Sequence, residues 1–247
     1  MEKARSSLRP STRVAVQPGV RLQLLDDFQV SCDEQLVDLP QAAKRLVAFV
    51  ALQDKRLQRE YAAGMLWLDA TNERAAGNLR STLWRIQKRV GGLLDVDGRS
   101  IGLQPEVAVD LRDAERLARG ELASCTDCRV FAGELLPGWY DDDWILLERE
   151  RYRQLRLRAL DALCTQHLEA GQLDEALEAG LLALSVEPLR ESAHRALVRV
   201  HLAAGNAVEA LRQYDLCCRL LREQLGVEPT QQMHDAIGAV GRVATRR

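Results

Sequence analysis

Residues 72–90 read NERAAGNLRSTLWRIQKRV and combine a narrow apolar pattern with five basic residues. Leu79, Leu83, Ile86 and Val90 are spaced at i, i+4, i+7 and i+11. Because an α-helix turns about 100° per residue, these four apolar side chains lie in one sector. The stretch therefore predicts an amphipathic helix whose apolar sector faces a hydrophobic core.

The opposite side of this helix is polar and basic, with almost no acidic residues. It presents Arg74, Gly77, Asn78, Ser81, Trp84, Arg85 and Lys88, with Arg80, Thr82 and Arg89 on its flanks. Arginine and lysine bind phosphates by releasing counterions, and Arg, Asn, Ser and Thr form hydrogen bonds with base edges in the major groove. The pattern favours a DNA-reading helix. The alternative is a solvated helix face without a ligand.

Charge is unevenly distributed along the chain. The full sequence of 247 residues has a formal net charge of −2, from 34 Lys and Arg against 36 Asp and Glu. Residues 1–104 hold 16 basic and 12 acidic residues, a net charge of +4, and the remainder holds 18 and 24, a net charge of −6. The positive first part is therefore the candidate for binding nucleic acid.

Length and composition favour two domains and no membrane segment. Apolar residues make up 47% of the sequence, which is enough for substantial cores. No run of about 18 apolar residues occurs, and the N-terminus has no apolar signal core, so we expect a cytoplasmic protein without a membrane partner.

Six scattered cysteines favour reduced thiols. Cys125 and Cys128 form one CxxC pair, which is a weak zinc signal, and we expect no metal or cofactor.

Residues 20–109 show the element order of a winged helix-turn-helix domain, and the polar residues 1–19 predict a disordered leader. The stretch VRLQLLDDFQVSCDEQLVDLP alternates as short antiparallel strands do, and two helical stretches, QAAKRLVAFVALQ and LQREYAAGMLW, precede the basic helix. A hairpin with an Asp97-Gly98 turn follows, with Arg99 at its tip. In such domains the third helix enters the major groove and the hairpin, or wing, reaches a minor groove.

The segment LRSTLWRIQKRV resembles the recognition helix of the winged-helix domains that response regulators carry as effectors. That resemblance implies that Arg85 and the polar residues Asn78, Ser81 and Thr82 approach bases. Trp84 and Gln87 depart from it, since arginine is frequent at both positions. Trp84 either stacks on a sugar or thymine methyl, or packs on the sheet or a partner subunit. The predicted DNA-binding residues are Arg74, Asn78, Arg80, Ser81, Thr82, Trp84, Arg85, Lys88, Arg89 and Arg99, the last three as phosphate contacts.

Residues 110–247 predict an all-α domain with an internal repeat. HLEAGQLDEAL (167–177) aligns with HLAAGNAVEAL (201–211) at an offset of 34 residues, the period of a tetratricopeptide-type helix pair. Gly171 and Gly205 fall at the turns between paired helices, where a left-handed backbone is needed. SVEP (185–188) and GVEP (226–229) close the pairs at an offset of 41, so the second pair is expected to be about two turns longer.

Spaced markers in this region resemble the bacterial transcriptional activation domain of Streptomyces antibiotic regulatory proteins. The markers include Leu136-Pro137-Gly138, Trp144, Glu148-Arg149, Glu187-Pro188, Glu191 with His194, Tyr214 and Leu225-Gly226-Val227-Glu228-Pro229. The resemblance spans about residues 20–240. It implies an activator that binds direct repeats near a promoter as a side-by-side homodimer and assists RNA polymerase. The sequence contains no GxxxxGK[ST] loop, so we expect a stand-alone regulator without its own nucleotide hydrolysis.

Other clusters predict structural roles. Glu191 and His194 share a helix face, as in half of a di-iron motif, but occur once and are expected to form a surface pair. The run Asp141 to Asp143 is expected to cap a helix start rather than to hold a cation. Neither GxSxG nor HExxH is present, so we expect no enzyme.

Two alternatives to a DNA-binding activator remain open at this stage. The first is an adaptor whose helical repeats bind protein partners, which predicts weak, sequence-indifferent DNA affinity. The second is a ligand-sensing repressor, which predicts that a small molecule in the repeat domain changes DNA affinity.

Overall fold

The structure is a computed structural model that describes residues 19–53, 55–121, 127–140 and 142–244. The predicted leader, apart from Gly19, lies outside the described residues, and so do Cys125 and Asp141. Within these ranges the protein is mainly helical with a small β component near its N-terminus, which confirms the predicted fold class.

A four-stranded sheet begins the fold. Its strands are β1 (Val20–Gln23), β2 (Gln29–Cys32), β3 (Gln35–Leu36) and β7 (Ala108–Val109), in the order β3-β2-β1-β7. The first three strands pair antiparallel, as their alternating sequence predicted, and Asp26, Asp33 and Glu34 adopt positive φ in the turns. β7 was not predicted and pairs parallel with β1, so the chain returns to its first strand after the wing.

Three helices and a second, smaller sheet complete the winged helix. The elements are α1 (Gln41–Ala51), β4 (Leu57–Gln58), α2 (Arg59–Leu66), α3 (Asn72–Arg89), β5 (Leu94–Val96) and β6 (Ser100–Leu103), with sheet order β4-β6-β5. The second helix was expected to begin at Leu57, and this is wrong. Leu57 is buried opposite Ile101 of β6, so this residue and Gln58 extend the wing sheet and the helix begins at Arg59.

The rest of the described chain is helical, as predicted. Its helices are α4 (Asp110–Arg116), α5 (Trp144–Glu169), α6 (Leu173–Val186), α7 (Glu191–Ala203), α8 (Ala207–Leu225) and α9 (Gln231–Ala244). A π-helical turn, Leu117–Glu121, and a 3-10 turn, Cys128–Phe131, lie between α4 and α5. Every helix in the described ranges is too short or too polar to span a bilayer.

The repeat is visible in the turns between paired helices. Gly171 joins α5 to α6 and Gly205 joins α7 to α8, with φ of 73° and 76°, which confirms the left-handed backbone expected there. Ala176 and Ala210 are fully buried, so the paired helices approach closely. The expected extra length lies in α8, which has 19 residues against 14 for α6, and in the connection that follows α8. The second pair as a whole is not longer, because α5 has 26 residues and α7 has 13, so the expectation was wrong for the pair. Gly226 ends α8 in the αL conformation, as a Schellman-type cap requires.

His194 is not part of a surface pair, so that expectation was wrong. Only 1% of the residue is exposed. Its Nε2–H donates to the Pro188 carbonyl at 2.9 Å, and its Nδ1 accepts from the Gln213 amide at 2.6 Å. Burial lowers the pKa of this imidazole. The ring therefore serves as a neutral bridge between the α6–α7 connection and α8, while Glu191 binds Thr230 at the start of α9.

One apolar core runs through both parts of the chain. Buried residues from the first sheet, α1, α3, α5, α6 and α7 belong to a single cluster, and Val198 begins a smaller cluster with α8 and α9. The Asp110 carboxylate adds polar contacts to this seam by accepting hydrogen bonds from the backbone N–H groups of Leu24 and Leu25 at 2.9–3.1 Å. The helical part is therefore packed directly against the winged helix.

Gly180→Ala is predicted to destabilise the protein. A Cβ at this buried position would lie 2.5 Å from Cδ2 and 2.9 Å from Cγ of Leu197, which is itself fully buried and cannot move aside. The overpacking exceeds the gain in helix propensity, so we expect a net loss of about 1–2 kcal/mol. Urea denaturation followed by circular dichroism measures this loss.

Gly64→Ala is the matched control, because an added Cβ on α2 meets nothing within 4 Å. This variant should gain about 0.5–1 kcal/mol. Equal stabilisation by both substitutions would contradict the close approach of α6 and α7.

Candidate nucleic-acid interface

The orientation of α3 follows from its buried sector. Leu79, Leu83, Ile86 and Val90 are all buried, together with Ala75, which confirms the predicted apolar seam. The hydroxyl of Thr71 accepts a hydrogen bond from the backbone N–H of Arg74 at 3.4 Å and caps the first turn. Since one side of α3 is fixed against the core, the opposite side must face solvent.

Five exposed residues form a continuous line along that solvent side. At about 100° per residue they fall within a sector of about 80°. We call this line the α3 stripe; its members are Arg74, Asn78, Ser81, Arg85 and Lys88. The stripe combines three cations with an amide and a hydroxyl, which are the groups that bind phosphates and base edges.

Thr82 does not belong to this surface, although the sequence placed it among the DNA-binding candidates. Only 5% of the residue is exposed, and its hydroxyl donates to the carbonyl of Asn78 at 2.8 Å. Its position borders the apolar sector, so packing against the core turns it inward. The prediction for Thr82 was wrong, because this hydroxyl is already satisfied inside the protein.

Trp84 lies beside the stripe and is 63% exposed. The alternative in which it packs on the sheet of its own chain is therefore wrong. The ammonium of Lys88 lies 5.1 Å from the centre of the indole ring, so the two side chains form a cation–π pair at the surface. Stacking on DNA and packing on a partner subunit stay as predictions for this side chain.

Arg80 and Arg89 flank the stripe on different sides. Arg80 lines a cleft of about 850 Å³ between α2, α3 and the wing, together with Arg59 and Gly98. Arg89 donates to the backbone carbonyl of Asp38 at the other end of the domain. Arg80 therefore faces the wing, whereas one N–H group of the Arg89 guanidinium already forms a hydrogen bond within the protein.

The wing is a tight hairpin with Arg99 exposed at its tip. Oδ1 of Asp97 accepts hydrogen bonds from the backbone N–H groups of Arg99 and Ser100, both at 2.7 Å. These bonds, led by the one from Arg99, hold the pKa of the Asp97 carboxyl well below its usual range. The turn therefore keeps its charged acceptor throughout the pH range in which proteins are normally studied.

Two arginines beside the wing were missed by sequence reasoning. Arg56 contacts Asp95, Asp97 and Ser100, and Arg59 donates to the backbone carbonyl of Asp97 at 3.2 Å. Both sit next to β4, whose pairing with β6 is too short to produce a sequence pattern. Their basic charge was the only available signal, and it did not identify the wing as their neighbour.

A polar contact holds the winged helix against α5. The Asp142 carboxylate is 7% exposed and accepts hydrogen bonds from Nε of Arg45 at 3.0 Å and from the indole N–H of Trp144 at 2.9 Å. The Trp144 ring also meets Phe49 edge-on, with ring centres 5.0 Å apart. The predicted capping role is wrong for Asp142 and Asp143, since neither side chain caps α5. Asp142 instead joins α1 to α5.

Metal and cysteine chemistry have little support in the described ranges. Nowhere in them do three or more His, Cys, Asp or Glu side chains gather as a metal site requires. Cys128 is buried and free, and burial raises the pKa of its thiol. Its CxxC partner, Cys125, lies outside the described residues.

Comparisons with known proteins define the class. Residues 104–240 match the family described as "Bacterial transcriptional activator domain". This match covers more than half of the sequence, so the chain belongs to that family. The predicted resemblance to Streptomyces antibiotic regulatory proteins is thereby confirmed.

Two relatives extend the match towards the N-terminus. Regulatory protein AfsR from Streptomyces coelicolor is 26% identical over 206 residues, which cover 77% of this chain and 21% of that protein. The chain thus spans about a fifth of the length of this curated relative. A solved structure of Mycobacterium tuberculosis EmbR, in complex with a low affinity phosphopeptide, superposes with a TM-score of 0.73 at 17% identity. It covers 91% of this chain and 65% of that one, so the fold is shared.

Asp142→Ala is predicted to destabilise the protein by about 2 kcal/mol. The change leaves the indole N–H of the half-buried Trp144 without its acceptor and removes the charged partner of Arg45, whose side chain is 30% exposed and retains some water. Urea denaturation measures the loss. Asp143→Ala is the control, because this neighbour is exposed and its side chain forms no cap. Equal stability of the two variants would argue against the Asp142 contact.

Proposed function

We propose that this protein is a sequence-specific DNA-binding activator whose α3 stripe enters the major groove. The observation that carries the proposal is the placement of the stripe. All five of its side chains are exposed on the side of α3 that faces away from the core. Helix-turn-helix proteins bind DNA with a helix that packs on the core with one side and presents hydrogen-bond donors to the major groove with the other.

The cations of the stripe are available to phosphates. Arg74 and Arg85 form no ion pair with any residue in the described ranges, and the ammonium of Lys88 lies over the ring of Trp84. No acidic residue lies between positions 74 and 89 of the sequence. Cations without internal partners release counterions when they meet phosphate, so affinity should fall steeply as salt increases.

The polar members of the stripe supply base recognition. Arginine forms two hydrogen bonds with O6 and N7 of guanine, and asparagine forms two with N6 and N7 of adenine. Arg85 and Asn78 lie two turns apart on the same side of α3 and fit these roles. Ser81 lies between them and can serve as donor or acceptor. We assign Arg74, Lys88 and Arg99 to phosphates, the last from the wing.

The assembly on DNA follows from the family resemblance. We propose that two copies bind side by side on direct repeats at a promoter, and that the helical part then contacts RNA polymerase. The cytoplasm, which holds the bacterial chromosome, is the corresponding location. The rigid packing of α5 against α1 supports this arrangement, because a polymerase contact on the helical part would be held at a fixed position relative to the bound DNA.

Protein binding through the helical part is a second candidate function. Val208, Leu211 and Leu216 on α8 are 62%, 43% and 37% exposed, which gives this helix an apolar component that a partner can cover. An adaptor of this kind would not need the α3 stripe. The DNA measurement below separates the two functions.

Selection of bound sequences from a random DNA pool tests the first candidate. The purified protein should enrich a direct repeat whose half-sites lie about one helical turn apart. Titration at about 150 mM salt should then show at least about 10³-fold preference over scrambled DNA. If a folded protein enriches no sequence, the adaptor function becomes the better explanation.

Arg85→Ala is predicted to weaken binding to the selected site by about 10-fold to 100-fold, because it removes a bidentate base contact. Fluorescence anisotropy with labelled duplex measures the affinity, and circular dichroism checks the fold. Arg219→Ala is the control, since this exposed arginine on α8 carries the same charge in the helical part. Equal affinity of both variants would remove Arg85 from the reading helix.

A further inference from the structure

The side chain of Arg56 ties three residues of the wing together. Its Nε donates to the hydroxyl of Ser100 at 2.8 Å, and its Nη2 donates to Oδ2 of Asp97 at 2.9 Å. Its Nη1 forms an ion pair with Asp95. One guanidinium therefore contacts β5, the hairpin turn and the first residue of β6, while its own backbone precedes β4.

The backbone around Arg56 is arranged for this contact. β4 pairs with β6, with Gln58 opposite Ser100, which brings the residue before β4 alongside the wing. Gly102 leaves room for the arginine stem, since a Cβ there would lie 3.2 Å from Cγ of Arg56. A Cβ at position 102 would require the stem of Arg56 to shift by a few tenths of an ångström.

Asp97 is the acceptor that joins Arg56 to the wing tip. Its Oδ1 binds the backbone N–H groups of Arg99 and Ser100, while its Oδ2 faces Arg56 and the Ser100 hydroxyl. The backbone N–H of Arg59 donates to the Arg99 carbonyl at 2.9 Å, which holds the same residue from its other side. The backbone of Arg99 is therefore fixed at both its N–H and its carbonyl.

We propose that Arg56 and Asp97 form a latch that positions Arg99 for its contact with phosphate; this inference rests on the proposed DNA binding. The latch acts before DNA arrives. A hairpin tip held in one conformation loses less conformational entropy when its arginine meets phosphate, so the same contact contributes more to affinity. Arg56 and Asp97 are thus positioning residues, and Arg99 is the residue that touches DNA.

The latch makes an unusual prediction for Asp97. Removing an acidic residue from a surface that faces DNA ordinarily strengthens binding, because repulsion of phosphate is lost. Asp97→Asn should instead weaken binding about fivefold. Asn keeps the Oδ1 acceptor for the turn, and Asn-Gly is a favoured hairpin pair. Its Nδ2 donor, however, faces the donors of Arg56, so the variant breaks the latch and preserves the turn.

Arg56→Lys tests whether Arg56 acts by positioning the wing or by its charge alone. Lysine keeps the positive charge but cannot reach Asp95, Asp97 and Ser100 together, so we expect about fivefold weaker binding. If Arg56 itself contacted phosphate, the lysine variant would retain its affinity and its salt dependence. Glu73→Gln is the control for Asp97→Asn, because it removes one exposed acidic charge from the first turn of α3 without touching the wing.

The measurements are anisotropy titrations against the selected duplex at several salt concentrations, with hydrogen exchange of the wing amides. Both latch variants should lower the slope of log affinity against log salt concentration by about one unit, as Arg99→Ala is expected to do. Adding either to Arg99→Ala should then cause no further loss. Urea midpoints should stay unchanged, since exposed ion pairs add little to global stability.

Two results would overturn the latch. One is unchanged or tighter binding by Asp97→Asn, as for Glu73→Gln; the other is a loss on Arg56→Lys that persists in full when Arg99 is already alanine. Failure of the proposed function is distinguishable from both, because the wild-type protein would then bind no selected site and Arg85→Ala would change nothing.

Discussion

The position of α3 depends on the apolar core that the winged helix and the helical part share. Phe49 of α1 and Trp144 of α5 meet within this shared packing, and α1 in turn packs on α3. Burying apolar area is the largest favourable contribution to folding, so separating the two parts would expose rings from both. The direction in which the α3 stripe points is therefore fixed by residues far along the chain from it.

Polar groups between the winged helix and the helical part determine how these two parts pack against each other. Burial raises the pKa of Asp110, while hydrogen bonds from the backbone of Leu24, Leu25 and Leu111 favour its charged form. Asp142 likewise accepts from Arg45 and Trp144 at another point of the same seam. A misaligned docking would leave these buried acceptors unpaired, and an unpaired buried carboxylate is expensive. Burial of apolar area thus holds the two parts together, and the carboxylates of Asp110 and Asp142 favour one relative placement of them.

Sequence reading succeeded where a pattern repeats over several turns. The four apolar residues of α3 and the glycines of the helical repeat have periods that few other structures produce, so their placement followed from spacing alone. β4 and β7 have two residues each, too few for alternation to be recognised, and their pairing depends on distant strands. The predictions for Thr82 and Asp142 were wrong for a related reason. Each residue lies at the edge of a buried surface, and the residues that pack against it come from elsewhere in the fold.

The arginines of the winged helix divide into two groups, and this division carries more information than net charge. Arg45 and Arg56 are bound to carboxylates, and Arg89 to a backbone carbonyl. Arg74 and Arg85 on α3 and Arg99 at the wing tip are exposed and have no ion-pair partner in the described ranges. Only an arginine without an internal partner can bind phosphate without first giving up an ion pair or hydrogen bond within the protein. The net charge of the N-terminal part therefore indicates only a region, whereas the unpaired arginines indicate which side of it we propose to bind DNA.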